Sequence, residues 1–278
     1  MPELPEVETV ARTLYPHIAG QLVTGVKLLR QSSLHKLSLP LAVMLGSSFL
    51  GAGRRGKLLL LELDGEHEGE KMQLVAHLRM TGRLFTQSAN AALGSHTRCI
   101  FGLKGRDGAE SQLFFDDTRA FGQLFLATNR LLNQWDFWRN LGPEPLEMGD
   151  GELAGRLRGK KPLKTALMDQ TVIAGIGNIY ADEALFLAGL SPLREAGSLS
   201  DAETAKLHEA IQSILRLSIS QCGSSIRDYR DADGNAGAFQ NTFRVYGRGG
   251  QKCVSCGETL SKIKLQGRST VYCANCQR

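Results

Sequence analysis

The sequence predicts an α+β protein of two domains, strands first and helices second, with a small metal-binding module at its C-terminus. Three observations lead there. At 278 residues the chain is long for a single hydrophobic core. The apolar residues change period along it, from strand-like in the first half to helical in the second. Its last segment carries two Cys-x-x-Cys pairs, Cys253/Cys256 and Cys273/Cys276.

The first element is a helix. Pro5 suits a first helical position, and the acids Glu3, Glu6 and Glu8 complement a helix N-terminus. Val7, Val10, Ala11, Leu14 and Ile18 recur at helical spacing, and Gly20 ends the run. Strand-like stretches follow at 23–29, 48–50, 57–63, 74–80, 99–103, 112–115 and 123–126. In one of them Leu74, Ala76, Leu78 and Met80 alternate with Val75, His77 and Arg79. Many short strands with glycine-marked turns predict an antiparallel sandwich or barrel. The polar stretch 86–96 reads as a surface loop. Leu141-Gly142-Pro143-Glu144-Pro145 reads as a linker. Helices are then expected from 153, over 163–172 and over 178–187. Ser200-Asp201-Ala202-Glu203 forms a capping box, opening a long helix with Leu207, Ile211, Ile214, Leu215 and Ile219 on its apolar face. The boundaries follow: a first domain over 1–135, a linker over 136–150, a helical domain over 151–243 and a metal module over 244–278.

Composition narrows the function. A hydrophobic content of 42% marks a globular chain. No apolar run approaches the roughly 18 residues of a membrane span, and the acidic, proline-punctuated start does not read as a signal peptide. A cytoplasmic protein is the expectation. The net charge is +5, yet Arg244 to Arg278 alone carries seven Lys/Arg against the single acid Glu258. The basic excess therefore sits at the C-terminus, where it suits a polyanion or makes a solvated surface. In such a chain two Cys-x-x-Cys pairs 16 residues apart fit one tetrahedral zinc held by four thiolates better than a disulfide or redox pair. Cys99, in an apolar run, reads as core.

Several residues could carry chemistry. Removal of Met1 would leave Pro2 as a secondary amine able to attack an electrophilic carbon, with Glu3 beside it. The same residues could do no more than begin a helix. Gly175-Ile176-Gly177-Asn178 joins two helices, either as an exposed helix N-terminus for phosphate or as a plain cap with Asn178 as N-cap. Arg54-Arg55-Gly56-Lys57 precedes a strand, where Lys57 could hold a phosphate or decorate an edge. Met80, Arg119 and Phe121 could fill the gap left by a displaced base or simply be packed.

Together, Pro2-Glu3-Leu4-Pro5-Glu6-Val7-Glu8-Thr9, Gly175-Ile176-Gly177-Asn178-Ile179-Tyr180-Ala181-Asp182-Glu183 and the terminal four cysteines resemble the formamidopyrimidine-DNA glycosylase family in order and spacing, over essentially the whole chain. The resemblance implies an N-terminal antiparallel β-sandwich flanked by helices, then a helical domain with a helix–two-turns–helix motif and a four-cysteine zinc-finger β-hairpin. DNA would lie in the cleft between the domains. It implies a base-excision repair enzyme, a glycosylase with abasic-site lyase activity, acting as a monomer on duplex DNA that carries oxidised purines or abasic sites. Pro2 would be the nucleophile on C1′, forming a Schiff base, and Glu3 the acid that protonates the sugar ring oxygen. Lys57 and Arg268 would contact phosphates and donate protons in β- and δ-elimination. His77, Lys164 and Asn178 would contact the backbone, and Met80, Arg119 and Phe121 would fill the void. The segment 224–240 would close over the flipped base. Cys253, Cys256, Cys273 and Cys276 would hold one structural Zn2+. Two positions depart from the family pattern: Ala120, where a second arginine is frequent, and Arg79, where glycine is common. An endonuclease VIII-type enzyme for oxidised pyrimidines and a non-catalytic zinc DNA-binding protein are the competing expectations.

Overall fold

The computed structural model describes residues 1–226 and 229–278. Arg227 and Asp228, in the segment expected to close over a flipped base, lie outside the described residues. Two compact units divide the chain: Met1–Arg139 with Cys222–Gly237, and Asn140–Gln221 with Ala238–Arg278. The expected linker from Asn140 onward and the expected metal module fall in the second unit, with most of the helical domain expected over 151–243. That domain's segment Cys222–Gly237 belongs with the first unit, because the segment's hydrogen bonds go to the first helix.

The first unit opens with α1 (Leu4–Ile18). Eight strands follow: β1 (Leu22–Leu28), β2 (Phe49–Arg55), β3 (Leu58–His67), β4 (Glu70–His77), β5 (Gly82–Ser88), β6 (Thr97–Lys104), β7 (Glu110–Asp117) and β8 (Gln123–Ala127). They form two four-stranded antiparallel sheets, in the orders β2-β3-β4-β8 and β1-β6-β7-β5. One core joins them: Phe49, Leu59, Leu61, Leu74, Ala76 and Leu126 from one sheet, Val23, Phe101, Leu113 and Phe115 from the other. Val7, Val10, Leu14 and Ile18 of α1 enter the same core. Each large apolar side chain buried there contributes roughly 1.5–3 kcal/mol. The short helices α2 (Asn129–Leu132) and α3 (Asp136–Arg139) end the unit's first segment.

Strand β5 is hidden from the periodicity, and its last residues run into the stretch expected to be a loop. The reason is its place at a sheet edge. It pairs only with β7, and Leu84 is its only large buried side chain.

The second unit is built around α5 (Asn178–Ala188), which is buried on nearly every side, as a central helix must be. Before it comes α4 (Leu163–Met168) and after it α6 (Asp201–Ser220). The capping box at α6 forms as expected, with Glu203 N donating to Ser200 Oγ. Buried Tyr180 of α5 reaches Ser218 of α6 through a 2.7 Å hydroxyl contact and stacks on Phe239. The expected helix from 153 is a run of turns, and α4 stops at Met168 rather than 172. Asp169 ends it by accepting Thr171 N and Thr171 Oγ1 on its own carboxylate, a local alternative to the helical ladder. The unit closes with the hairpin β9 (Ser261–Leu265) and β10 (Arg268–Tyr272). Its two-residue turn, Gln266 and Gly267, has both φ angles positive, 45° and 80°, as the twist of a tight hairpin requires.

Leu14 tests the common core. It is fully buried where α1 meets the sandwich. Leu14→Ala is expected to cost about 2–5 kcal/mol in urea unfolding, with an unchanged denaturant slope.

Candidate active site and nucleic-acid interface

Pro2 and Glu3 sit at the head of α1, both buried, Glu3 as the N-cap. The carboxylate of Glu6, one turn into the helix, accepts Glu3 N at 2.8 Å through Oε2. Through Oε1 it accepts Ser224 N at 2.7 Å and Ser224 Oγ at 3.0 Å. One carboxylate therefore fixes the head of the helix and the start of the 224–240 segment together. Further along, Tyr229 donates its hydroxyl to Glu6 O, Ala232 N donates to Thr13 Oγ1, and His17 Nε2 lies 2.6 Å from Asp233 Oδ1.

At one end of the sandwich, strand register brings Lys57 and His77 together. Lys57 is the residue before β3, and Leu58 pairs with His77. Both side chains are largely buried. Burial first, then the cations Arg79 and Lys57, push His77 down to about 3. His77 is thus neutral at pH 7. Its Nδ1 accepts Arg79 N at 3.2 Å, which leaves the proton on Nε2 as a donor.

The same end carries Met80, Arg119 and Phe121. Met80 and Phe121 are 40% and 54% exposed, against the core habit of large apolar residues. The Arg119 guanidinium lies 4.8 Å from the Phe121 ring centre and 2.8 Å from Met80 Sδ, so the three make one protruding cluster. Asp117 holds it in place. Almost wholly buried, its carboxylate accepts Thr81 Oγ1 at 2.5 Å, Arg119 N at 3.2 Å and Gly122 N at 2.6 Å.

In the second unit the Gly-Ile-Gly-Asn turn joins α4 to α5. The helix starts at Asn178 as expected, but its N-cap is Gly177, one residue before the Asn178 that could have capped it. Gln170 braces the turn, donating to Met168 O and Ile176 O and accepting Gly175 N. The Asn178 Oδ1 atom is buried with no hydrogen-bond partner among the described residues; being an acceptor it offers nothing to a phosphate, which only the side-chain NH2 and backbone N–H groups of the helix start can serve. Arg268 follows the hairpin turn, exposed, beside a cavity of about 310 Å3 that Lys161 and Thr165 also line.

Lys164, expected as a backbone contact, is held by partners within its own unit. Its side chain is 1% exposed. The ammonium lies 2.8 Å from Asp182 Oδ1 and donates to Ser269 O at 2.8 Å and Thr270 Oγ1 at 2.9 Å. Held in this way, it also lines the cavity beside Arg268. It ties α4 and α5 to the strand that carries Arg268. Burial raises the Asp182 carboxyl to about 6 while Lys164 pulls it down, so the carboxyl is ionised at neutral pH. Neighbouring Glu183 accepts the N–H groups of Arg244, Val245 and Tyr246. Two adjacent carboxylates of α5 thus grip the C-terminal module at both ends.

The four cysteine Sγ atoms lie within 4.8 Å of one another. Cys253 to Cys276 is 3.9 Å and Cys256 to Cys273 is 3.5 Å. A tetrahedral zinc with bonds of about 2.3 Å needs sulfur–sulfur edges of about 3.8 Å. The thiols also need a cation. Backbone donation at Glu258 lowers Cys256 to about 6, while hydrogen bonding to Cys256 and then burial push Cys276 up to about 12. All four ionise together only on a metal. The residues fit one structural zinc, and Phe186 of α5, Val245, Leu260 and Val271 pack around it.

Three family models match the chain: the formamidopyrimidine-DNA glycosylase N-terminal domain over 1–124, its H2TH domain over 141–230, and the zinc finger found in FPG and IleRS over 250–278. A formamidopyrimidine-DNA glycosylase of Desulfitobacterium hafniense is 43% identical, with each chain covered in full. The chain belongs to the formamidopyrimidine-DNA glycosylase family. Its fold is that of solved members. Lactococcus lactis Fpg (MutM) in complex with a DNA containing N7-benzyl-Fapy-dG superposes with a TM-score of 0.87 at 34% identity, covering both chains fully. MutM in complex with a DNA containing carbocyclic 8-oxo-G does so at 0.86 and 35%, again with both chains covered.

Sequence reasoning misses the residues that hold the others: Glu6 as a hub, Asp117, and the pair Asp182/Glu183. One signal exists for the pair. Two acids inside the otherwise apolar run Ile179 to Ala188 must find partners if the helix is buried. For Asp117 no comparable signal exists, since an acid before a turn is ordinary.

His77 gives a pH test. Its folded value lies below the ordinary 6.5, so the unfolded chain binds a proton that the folded chain refuses between pH 6.5 and about 3. Stability from this group is complete above 6.5 and falls as the pH drops through that window. By pH 5 the loss is about 2 kcal/mol. Urea melts at pH 7.5 and 5 are expected to show a smaller pH-dependent loss for His77→Gln than for the wild type.

The zinc gives another. Chelation, or Cys256→Ser, is expected to release one zinc per chain, measured by mass spectrometry. It should also weaken DNA binding at least tenfold while the sandwich keeps its own thermal transition.

Proposed function

We propose that this protein excises oxidised purines, 8-oxoguanine and formamidopyrimidines, from duplex DNA and cuts the abasic strand by β,δ-elimination through a Schiff base at Pro2. The observation that carries the reading is the placement of Pro2 and Glu3, buried at the head of α1 and braced by Glu6. Relatives solved with Fapy-dG and 8-oxo-G DNA support the substrate class.

The target base is stacked in a duplex, so it must first leave the stack at a cost of a few kcal/mol. The protruding Met80, Arg119 and Phe121 fill the space it vacates. Lys57, neutral His77 through Nε2–H, Asn178 and Arg268 hold phosphates and set register without reading sequence. Lys164 supports the Arg268 strand through Ser269 O and Thr270 Oγ1.

With Met1 removed, Pro2 carries a secondary amine. An α-amino group titrating near 8 is about one-tenth neutral at pH 7, and burial favours the neutral form further. The amine lone pair attacks C1′ while Glu3 gives its proton to the ring oxygen. The base departs with the bonding electrons of the glycosidic bond, and loss of the amine proton leaves an iminium on the opened sugar. This electron sink acidifies the C2′ proton. Its removal expels the 3′ phosphate, and a second elimination expels the 5′ phosphate, with Lys57 and Arg268 as proton donors. Hydrolysis of the iminium then frees Pro2. The fourfold-thiolate zinc supplies structure alone and offers the reaction no open position. We place the enzyme in the bacterial cytoplasm, where such DNA lies; among the described residues no helix is long and apolar enough to cross a membrane.

Borohydride trapping on an 8-oxoguanine duplex tests the mechanism. A covalent adduct is expected from the processed protein. Pro2→Gly, and protein that retains Met1, should bind the duplex yet form no adduct. An undiminished adduct from Pro2→Gly would refute the assignment, and preferential excision of thymine glycol would refute the substrate class.

A further inference from the structure

Arg79 has an unusual backbone. It follows Leu78, just past the end of β4, inside a turn closed by Gly82 N donating to Leu78 O at 2.9 Å. Its φ is +53°, a left-handed conformation that costs an ordinary L-residue roughly 1 kcal/mol and glycine almost nothing. Among the described residues, four other non-glycine residues share this sign: Glu68, Ala120, Cys222 and Gln266. Glu68 and Gln266 occupy tight hairpin turns, where the sign follows from strand twist. Arg79 and Ala120 lie instead beside the protruding cluster, Arg79 next to Met80 and Ala120 between Arg119 and Phe121.

No hydrogen bond or ion pair of the side chain offsets this strain. Arg79 is exposed, and its guanidinium has no hydrogen-bond or ion-pair partner among the described residues. Only its backbone N–H is engaged, on His77 Nδ1, and glycine would supply that donor equally well. Strain held at a surface position with no such contact in return points to use by a ligand.

The neighbourhood says which ligand. Arg79 follows His77 by two residues and its charge acts on that ring, as does the charge of Lys57. Three groups that suit an anion, the Lys57 ammonium, the His77 Nε2–H and the Arg79 guanidinium, thus belong to one end of one sheet. A planar guanidinium takes two oxygens of a phosphate at once. Across the cluster, Ala120 offers no charge, so Arg79 alone supplies a cation on the left-handed residues of these two turns.

We infer that Arg79 is a further DNA-positioning residue, which binds a backbone phosphate adjoining the one held by Lys57 and His77 and so seats Met80 for insertion. This rests on the DNA-binding reading above and adds to it an interaction that does not read sequence.

Arg79→Gly is the test, because glycine accepts φ +53° without strain and keeps the N–H donor. Binding to an undamaged duplex is measured by fluorescence anisotropy over a series of salt concentrations, with Arg79→Lys and the wild type in parallel. The wild type should show a linear fall of log affinity with log salt. Arg79→Gly is expected to bind about threefold to tenfold more weakly at low salt, and its slope should be shallower by about 0.9, the signature of one fewer phosphate neutralised. Arg79→Lys should recover the slope. The melting temperature of Arg79→Gly should equal or exceed that of the wild type. A slope unchanged in Arg79→Gly overturns the inference, whether affinity stays the same or falls; a fall would point to a base contact. A lowered melting temperature with unchanged slope makes the residue structural and also overturns it. Absence of any DNA binding by the wild type would instead strike the functional reading itself.

Discussion

The buried carboxylate of Glu6 is the constraint on which the first unit's chemistry depends. It takes Glu3 N on one oxygen and Ser224 N and Oγ on the other. A buried carboxylate must be satisfied or it becomes a large cost, so the helix head and the 224–240 segment are bound to the same point. Gly223 makes the approach possible. A Cβ there would meet Glu6 Oε1 at 2.9 Å, and its φ is +78°, so glycine is required twice over. Pro2, the proposed nucleophile, is thereby presented from a rigid helix rather than from a loose terminus.

The same device recurs at two further places. Asp117 gathers three donors and sets the backbone of Arg119 and Gly122. Asp182 and Glu183 bind the two ends of the C-terminal module to α5. Arg119 and Arg268, which would touch DNA, are exposed, and the groups that position them are buried acids. This division follows from electrostatics. A cation that must meet phosphate has to stay accessible, whereas an anion with backbone N–H partners is most effective where water is excluded.

Much of the site is legible in the sequence, though unevenly. The four cysteines stand out because zinc demands a fixed number of thiolates at short spacing. The α6 start is visible because its capping box is local. The Pro2-Glu3 start is visible as chemistry but becomes specific only beside the remote turn and finger. Strand β5 escapes because an edge strand needs little apolar patterning. For Lys164 the sequence shows only a lysine in a basic setting, and the packing alone reveals its ion pair with Asp182. Arg79 and Ala120 stand out in the sequence as departures of residue type. That both adopt left-handed backbone is seen only in three dimensions.

The sequence by itself determined what local chemistry can encode: strands before helices, the capped helix starts, the tetrathiolate metal site and the identity of the amine that would attack. Those features depend on residues near one another along the chain, where spacing stands in for distance. The tertiary structure alone decided which residues share a neighbourhood: Glu6 with Ser224, Lys57 with His77, Met80 with Arg119, Lys164 with Asp182. Such pairs are separated by about 20 to more than 200 positions. They meet because strand register and helix packing bury apolar faces, and no local pattern records where that burial delivers a polar group.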